Sequence, residues 1–394
     1  MSEMPKTSEI EVGDLLSKVD GGERELLLLD VRNQEEFDTW RIEGKHPVET
    51  IHIPYFDFIE EAEACAAKVS KGRDLVVLCA KGGSSEMIVD MLKDVGLPAK
   101  NVRGGMIAYG DYLEPVRVPL GGDAFELWQV NRRGKGCLSY VVASGGDAVV
   151  VDPSRHVDWY EEFVKSRGAK IVHVLDTHVN ADHVSGGPEL ARRAGAPYSV
   201  AAGEGFELRH RVQPLADGGE VSIGRGLSIR VIATPGHTPG SRSYLVGGKA
   251  LLSGDTLFVS SVGRPDLGGH VEEWGEELYE TLHEKLAGLP DDVVVLPAHF
   301  AGPHEIGADG VVSGRLGDLR RSVPEMTLSG ASAFVAAMRA AVKTPPEAYA
   351  HIIQTNLGTE TPEADKILEW ELGKNQCALA HKDDGAVHDA GAEA

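Results

Sequence analysis

Four short apolar runs in the middle of the chain each end in a histidine or an aspartate: "IVHVLDTHVNADH" (171 to 183), "VIATPGHT" (231 to 238), "ALLSGD" (250 to 255) and "VVVLPAH" (293 to 299). Apolar runs of this length bounded by turn residues read as buried strands. Polar side chains just past their ends belong where open α/β sheets gather their sites. Between these runs stand further strand-like segments, "FELWQV", "LSYVVA", "DAVVVD" and "SRSYLVGG", with helical patterns near 157 to 167 and 271 to 287. Hairpin-rich sheets interrupted by crossover helices predict an α/β sandwich.

Upstream the pattern is different. "ELLLLDV" (25 to 31) and "DLVVLC" (74 to 79) alternate with the helix-like "EEFDTW" and "SSEMIVDMLKDVG", which closes at Gly96. That alternation predicts a parallel sheet flanked by helices. Pro115, Pro119, Gly121 and Gly122 read as an interdomain linker. Downstream, "ASAFVAAMRAAV" and "PEADKILEWELG" carry apolar residues at helical spacing, and the closing "HKDDGAVHDAGAEA" has almost nothing to bury. The expected organisation is a first domain over 1–118, a second over 119–310, a helical extension over 311–380 packed on the second domain, and a disordered tail over 381–394.

Charge narrows the partners. Lys and Arg total 39 against 61 Asp and Glu, a net charge of -22 that repels phosphate backbones and anionic membrane surfaces. Nucleic acid and membrane are therefore not expected partners, and small molecules are; a homo-oligomer is compatible with all of this. No stretch reaches the roughly 18 apolar residues of a spanning helix, and "MSEMPKTSEI" lacks the basic-then-apolar order of a secretory signal, so the expected location is cytoplasmic. The four cysteines, Cys65, Cys79, Cys137 and Cys377, show no CxxC spacing. Cysteine chemistry would rest on a single thiol.

Cys79 is the candidate. "CAKGGSS" puts it at the end of an apolar strand, before a small glycine-containing loop and a helix beginning near Ser84. Loop N–H groups and a helix amino terminus stabilise a thiolate, and Lys81 adds positive charge. The structural alternative is a buried cysteine closing a strand. The stretch resembles the active loop of the rhodanese sulfurtransferases, and "LLLLDVRNQEEF", "TIHIPY" and "NVRGGMIAY" resemble that family's other segments in order, over residues 8 to 115. The resemblance implies that Cys79 takes a sulfane sulfur as a persulfide and passes it to a thiophilic acceptor. Ala80, Lys81, Gly82, Gly83 and Ser84 would form the anion cradle. Many members carry arginine near the loop's end where this chain has Ser84.

In the second domain the candidate metal ligands are His178, Asp182, His183, His237, Asp255 and His299. Imidazole and carboxylate suit zinc and iron. Isolated histidines such as His173, His210, His270 and His304 read as core or surface residues. The set resembles the metallo-β-lactamase superfamily, whose motif is HxHxDH followed by further His, Asp and His, and the resemblance implies an αββα sandwich. Its glyoxalase II-like hydrolases hold two metals, and here Asn180 replaces one ligand of the first pocket. Its persulfide dioxygenases hold one iron through two histidines and an aspartate, which carry over to His178, His237 and Asp255. That trio is the facial arrangement of non-haem Fe(II) sites. Asp182, His183 and His299 would then orient ligands or handle protons; a competing reading makes them, with Asp255, the ligands of a single zinc. Arg264 in "SVGRPDLGG" is placed to meet a substrate carboxylate, or else to pair with Asp266 as a structural residue.

The combined resemblance implies a fusion enzyme with one Fe(II) per chain. It would oxidise a low-molecular-weight persulfide, such as that of glutathione, with O2 to sulfite and thiol, while Cys79 moves sulfane sulfur to or from thiosulfate. Linking two such sites raises effective concentration. The alternatives are a Zn(II)-dependent hydrolase of glutathione thioesters and a non-catalytic sulfur-sensing protein.

Overall fold

The structure, a computed structural model, describes residues 8–377 apart from 123, 204, 205, 267 and 343. The stretch 381–394, expected to be disordered, lies outside the described residues.

The first domain is a five-stranded parallel sheet of β1 (Glu9–Ile10), β2 (Leu26–Asp30), β3 (Thr50–His52), β4 (Asp74–Leu78) and β5 (Ala99–Val102), in the order β1-β5-β4-β2-β3. A central strand covered on both faces has no polar side, which is why β2 reads Leu-Leu-Leu-Leu. Its alternate residues serve different cores. Leu27 and Leu29 pack with Leu75, Val77, Ile88 and Phe58 on one face; Leu26 and Leu28 pack with Val76, Leu16 and Met106 on the other.

The second domain holds two six-stranded sheets. One runs β11-β10-β9-β8-β7-β6: β6 (Glu114–Arg117), β7 (Glu126–Arg132), β8 (Cys137–Ser144), β9 (Asp147–Val151), β10 (Lys170–Leu175) and β11 (Tyr198–Ser199). The other runs β12 to β17 in sequence order: β12 (Glu220–Ile223), β13 (Leu227–Ala233), β14 (Arg242–Val246), β15 (Ala250–Gly254), β16 (Val294–Pro297) and β17 (Gly314–Arg315). Both are mixed, with β9, β10 and β11 parallel in the first and β15 and β16 parallel in the second. Side-chain alternation separates the layers: Val149 and Val151 face Tyr244, Leu252 and Leu296 between the sheets, while Ala148 and Val150 face Tyr160 and Leu190 of the outer helices. Helices Val271–Glu280 and Ala331–Ala340 cover the other outer face through Leu278 and Phe334. The αββα sandwich is thus present, with helices at the carboxyl-terminal side.

The linker reading needs correction at its beginning. Glu114–Arg117 is strand β6, paired antiparallel with β7, so Pro115 lies in an edge strand rather than in a connection. A sheet edge tolerates a residue without an N–H, which is why composition alone suggested a loop. The domains also touch directly. Trp40 Nε1 donates to Gly134 O at 2.8 Å, Lys45 Nζ donates to Gly307 O at 2.8 Å, and Arg133 pairs with Asp20 at 2.7 Å.

Candidate active site

The ends of β10, β15 and β16 and the loop after β13 bring all six candidate ligands together in two adjoining clusters. His178, His237 and Asp255 form one; Asp182, His183 and His299, joined by Cys137, form the other, and Asp255 also groups with His299 and Cys377. Within each cluster the ligating atoms lie within 4.8 Å of one another, and every residue is buried.

The first cluster is held from behind. His237 Nδ1 donates to the Arg264 carbonyl at 2.9 Å, which leaves Nε2 unprotonated and 3.5 Å from Asp255 Oδ2. His178 Nδ1 meets Thr177 Oγ1 at 2.9 Å, and its Nε2 lies 3.6 Å from the same Asp255 oxygen. Thr177 is in turn fixed through its N–H and hydroxyl by Asp152, a non-glycine residue at φ 51. Such a left-handed conformation is costly and persists where surroundings enforce it. Burial pushes His237 down to about 4, so its imidazole is neutral at pH 7. Burial opposes ionisation of Asp255, but the His299 and His178 rings outweigh it and hold the carboxyl well below the usual range. His178 Nε2 and Asp255 Oδ2 are buried and meet no hydrogen-bond partner among the described residues. Two imidazole nitrogens and a carboxylate oxygen converging in a buried pocket, with His178 Nε2 and Asp255 Oδ2 unpartnered, fit a divalent cation.

The second cluster is more fully paired, with His299 Nε2 left without a hydrogen-bond partner among the described residues. Asp182 Oδ1 accepts from His183 Nδ1 at 3.0 Å and lies 3.1 Å from His299 Nε2; Asp182 Oδ2 accepts from the Cys137 thiol at 3.2 Å. His299 Nδ1 donates to Asp255 Oδ1 at 2.6 Å. Burial disfavours the charged ring of His183, but Asp182 and Cys137 outweigh it and raise the ring to about 10. The same contest, won by Asp182 and Asp255, raises His299 well above its ordinary value. Both rings of this cluster thus favour their charged form, and the Asp255 carboxylate is shared with the first cluster.

Arg264 is buried, with Nε and Nη2 on the Asp266 carboxylate at 2.8 and 2.6 Å and Nη1 on Gln376 O at 3.2 Å. Its guanidinium matches the structural pair, and what it gives the first cluster is its backbone carbonyl. Asn180, between His178 and Asp182, is 1% exposed.

In the first domain, Cys79 Sγ accepts from Gly82 N at 3.1 Å and from Ser85 N and Oγ at 3.4 and 3.1 Å. The helix begins at Gly83, and Gly82 caps it at φ 95, a conformation that suits glycine. Of the expected cradle, Gly82 thus supplies a donor to sulfur, while Lys81 is exposed. Gly105 sits against Cys79 O so closely that a Cβ there would lie 2.2 Å away.

Several residues at these sites escaped sequence reasoning. Ser85 stands one position beyond the expected cradle. Asp152 ends "DAVVVD" as the other site residues end their strands, and that shared pattern was a usable signal. Cys137, Asn356, Glu371 and Cys377 carried none, because they reach the site from distant parts of the chain. Asn356 Nδ2 donates to the carbonyls of Asn180 and His183, each at 2.9 Å, and its Oδ1 accepts from Ser185 N at 2.9 Å.

Comparison with known proteins agrees with both halves. Residues 11–111 match the rhodanese-like domain model and residues 132–299 match the metallo-beta-lactamase superfamily model. A hydroxyacylglutathione hydrolase of Acidiphilium cryptum is 34% identical over 41% of this chain, which spans 63% of that relative's length. The mitochondrial persulfide dioxygenase ETHE1 of Bos taurus is 26% identical over 55% of this chain and 81% of its own. The crystal structure of ETHE1 from Myxococcus xanthus superposes with a TM-score of 0.50 at 26% identity, covering 63% of this chain and all of that one, 100%. No helix among the described residues is long and apolar enough to cross a membrane. The two-cluster geometry at the strand ends and the sulfur-cradling loop upstream place this chain in the metallo-β-lactamase superfamily, with a rhodanese-like domain preceding the metallo-β-lactamase domain.

Proposed function

We propose that this protein is a sulfur-metabolising enzyme whose second domain oxidises a small persulfide with O2 and whose first domain transfers sulfane sulfur through Cys79. The observation that carries the reading is the contrast between the clusters. His178 Nε2 and Asp255 Oδ2 lie buried without partners beside His237 Nε2, whereas both oxygens of Asp182 accept hydrogen bonds, from His183 and from the Cys137 thiol, and His299 Nε2 is the atom of that cluster left without one. His178, His237 and Asp255 would hold one Fe(II), which supplies open coordination positions for O2 and substrate. The ETHE1 relatives, persulfide dioxygenases by name, support oxidation of a persulfide, and Asn180 removes a ligand that a single-metal site does not need.

The overall reaction balances as persulfide, O2 and water giving thiol and sulfurous acid. The outer sulfur loses four electrons, both oxygen atoms are reduced, and the S–S bond breaks with the pair remaining on the thiol. The chain's own groups would fix the ligands: Arg264 O sets the His237 tautomer, Thr177 and Asp152 aim His178, and His299 Nδ1 occupies Asp255 Oδ1 so that Oδ2 stays available. In the first domain the Cys79 thiolate would attack the outer sulfur of thiosulfate and release sulfite, or the reverse. Gly82 N, Ser85 N and Ser85 Oγ would stabilise charge on the sulfur.

A zinc-dependent glutathione thioester hydrolase is the second reading, favoured by the burial of Asp182, His183, His299 and Asp255 in one place and by the hydroxyacylglutathione hydrolase relatives. The deciding experiment is anaerobic purification, iron and zinc analysis, and O2 uptake with glutathione persulfide beside hydrolysis of a glutathione thioester. Iron with O2 uptake is expected. Zinc alone, no O2 uptake and rapid thioester cleavage would establish the second reading instead.

A further inference from the structure

The loop His178–His183 alternates in character. Val179 packs with the outer-helix core and Ala181 with Tyr349 and Cys377, leaving His178, Asn180 and Asp182 as buried polar side chains. His178 belongs to the first cluster and Asp182 to the second. Asn180 stands between them, and both its Nδ2 and its Oδ1 are buried with no hydrogen-bond partner among the described residues. A carboxamide in that state carries the full penalty of two unmade hydrogen bonds. The surroundings do not let it escape, because its own backbone carbonyl is fixed by Asn356. Nothing about packing calls for an amide here, since an alanine or a valine would bury the same space at no polar cost.

We propose that Asn180 is a substrate-binding residue of the second domain, whose Nδ2–H₂ donates to the anionic terminal group of the small sulfur substrate. This rests on the reading of His178, His237 and Asp255 as a metal centre. It explains the asparagine as a retained donor rather than a decayed ligand. His178 Nε2, Asp255 Oδ2 and the Asn180 amide, three of the four unpartnered polar groups at this site beside His299 Nε2, then share one cause, a ligand set of cation and anion. An amide is well suited to the task, because it donates to an anion without adding a charge that would compete with the cation.

The test uses the full chain loaded with Co(II), whose visible bands report ligands entering the metal pocket, titrated anaerobically with sulfite. Asn180→Ala should bind cobalt in the wild-type amount but require roughly 10- to 100-fold more sulfite for the spectral change, the range for a lost hydrogen bond to a charged group. Asn180→Ser, which keeps a shorter donor, should recover part of that loss and guards against an alanine variant that folds poorly. Equal sulfite titrations for wild type and both variants overturn the proposal, whatever happens to thermal stability; a change in melting temperature alone means the amide only anchors a water. A wild-type chain that takes up no cobalt overturns the metal-centre reading and this inference with it. Cobalt uptake with unchanged sulfite binding in the variants overturns this inference alone.

Discussion

Asn356 offers the sharpest test of how the carboxyl-terminal helices serve the site, because it touches no candidate ligand side chain. It closes helix Ala348–Asn356, is 6% exposed, and ties three points of the ligand loop: the Asn180 and His183 carbonyls through Nδ2 and the Ser185 amide through Oδ1, each at 2.9 Å. Asn356→Asp keeps the shape and the acceptor for Ser185 but replaces the doubly donating amide by an oxygen facing two carbonyl oxygens. Two hydrogen bonds are lost and two buried carbonyls left unpaired, at about 1–3 kcal/mol for each unsatisfied group. The sum is roughly 2–6 kcal/mol, and at about 2–4 °C per kcal/mol for a domain of this size the melting temperature should fall by roughly 4–24 °C. The loop carries both clusters, so metal affinity should fall as well, about 10-fold or more, the scale of lost outer-shell support. Differential scanning calorimetry and metal analysis after dialysis against a weak chelator give the two readings. A variant that melts within a degree of wild type and keeps its metal would refute the claim that the extension holds the ligand loop.

Three further outcomes follow from the same contacts. Cys79→Ser should abolish sulfur transfer from thiosulfate to cyanide, and Ser85→Ala should slow it about 10-fold, the worth of one hydrogen bond to a charged sulfur; an unchanged Ser85→Ala rate would remove Ser85 from the cradle. Burial works against ionisation of Glu371, but Arg132 and Arg155 outweigh it and hold the carboxyl down to about 2. A depressed folded value means stabilisation that is complete above the unfolded glutamate range and lost as pH falls from about 4.5 towards 2, on the order of 3 kcal/mol; the gap in urea midpoint between Glu371→Gln and wild type should be smaller at pH 3 than at pH 7, and an equal gap at both would refute the assignment. Finally, Asn180→His should restore the second histidine of the first pocket and raise bound zinc per chain, and identical metal content in the two proteins would show that position 180 does not control metal number.

How much of this was legible beforehand depends on the range of the interaction. The long strands and helices declared themselves because each contributes a periodic face to a core, as Val149 and Val151 against Ala148 and Val150 show. Short edge strands such as β6, β11 and β17 did not, since two to four residues cannot establish a period, and Pro115 argued the other way. The six ligand candidates were visible because each stands just past a strand. Their division into two clusters joined through Asp255 and His299, with Asp182 bonded through both oxygens and Asp255 through one, was not, because it depends on which carboxylate oxygen faces which ring nitrogen. Arg264 makes the same point: the Gly-Arg-Pro turn marked it, but only the contact with Asp266 shows where its guanidinium went.

The contacts between the domains bear on why these two domains share a chain. Helix Gly105–Asp111 begins on the cysteine loop, with Met106 N donating to Cys79 O at 2.9 Å and Ile107 N to Ala80 O at 3.1 Å. It ends on Arg132 of the second domain, which donates to Gly110 O at 2.7 Å and to Asp111 Oδ1 at 3.0 Å. Arg132 also holds Glu371 at 2.7 Å, and the other oxygen of Glu371 accepts from Val184 N at 2.8 Å, one residue beyond His183. Arg155 doubles the bridge by reaching both Asp111 and Glu371. Buried, charge-assisted contacts of this kind fix geometry more reliably than they add stability. A flexible tether would raise effective concentration for any pair of sites it could span; a short helix braced at both ends instead sets one distance and one orientation between the cysteine loop and the ligand loop. Sulfur passed between them on a small carrier would then travel a fixed path, and the carrier's reach, rather than linker length, would decide which thiol serves both domains.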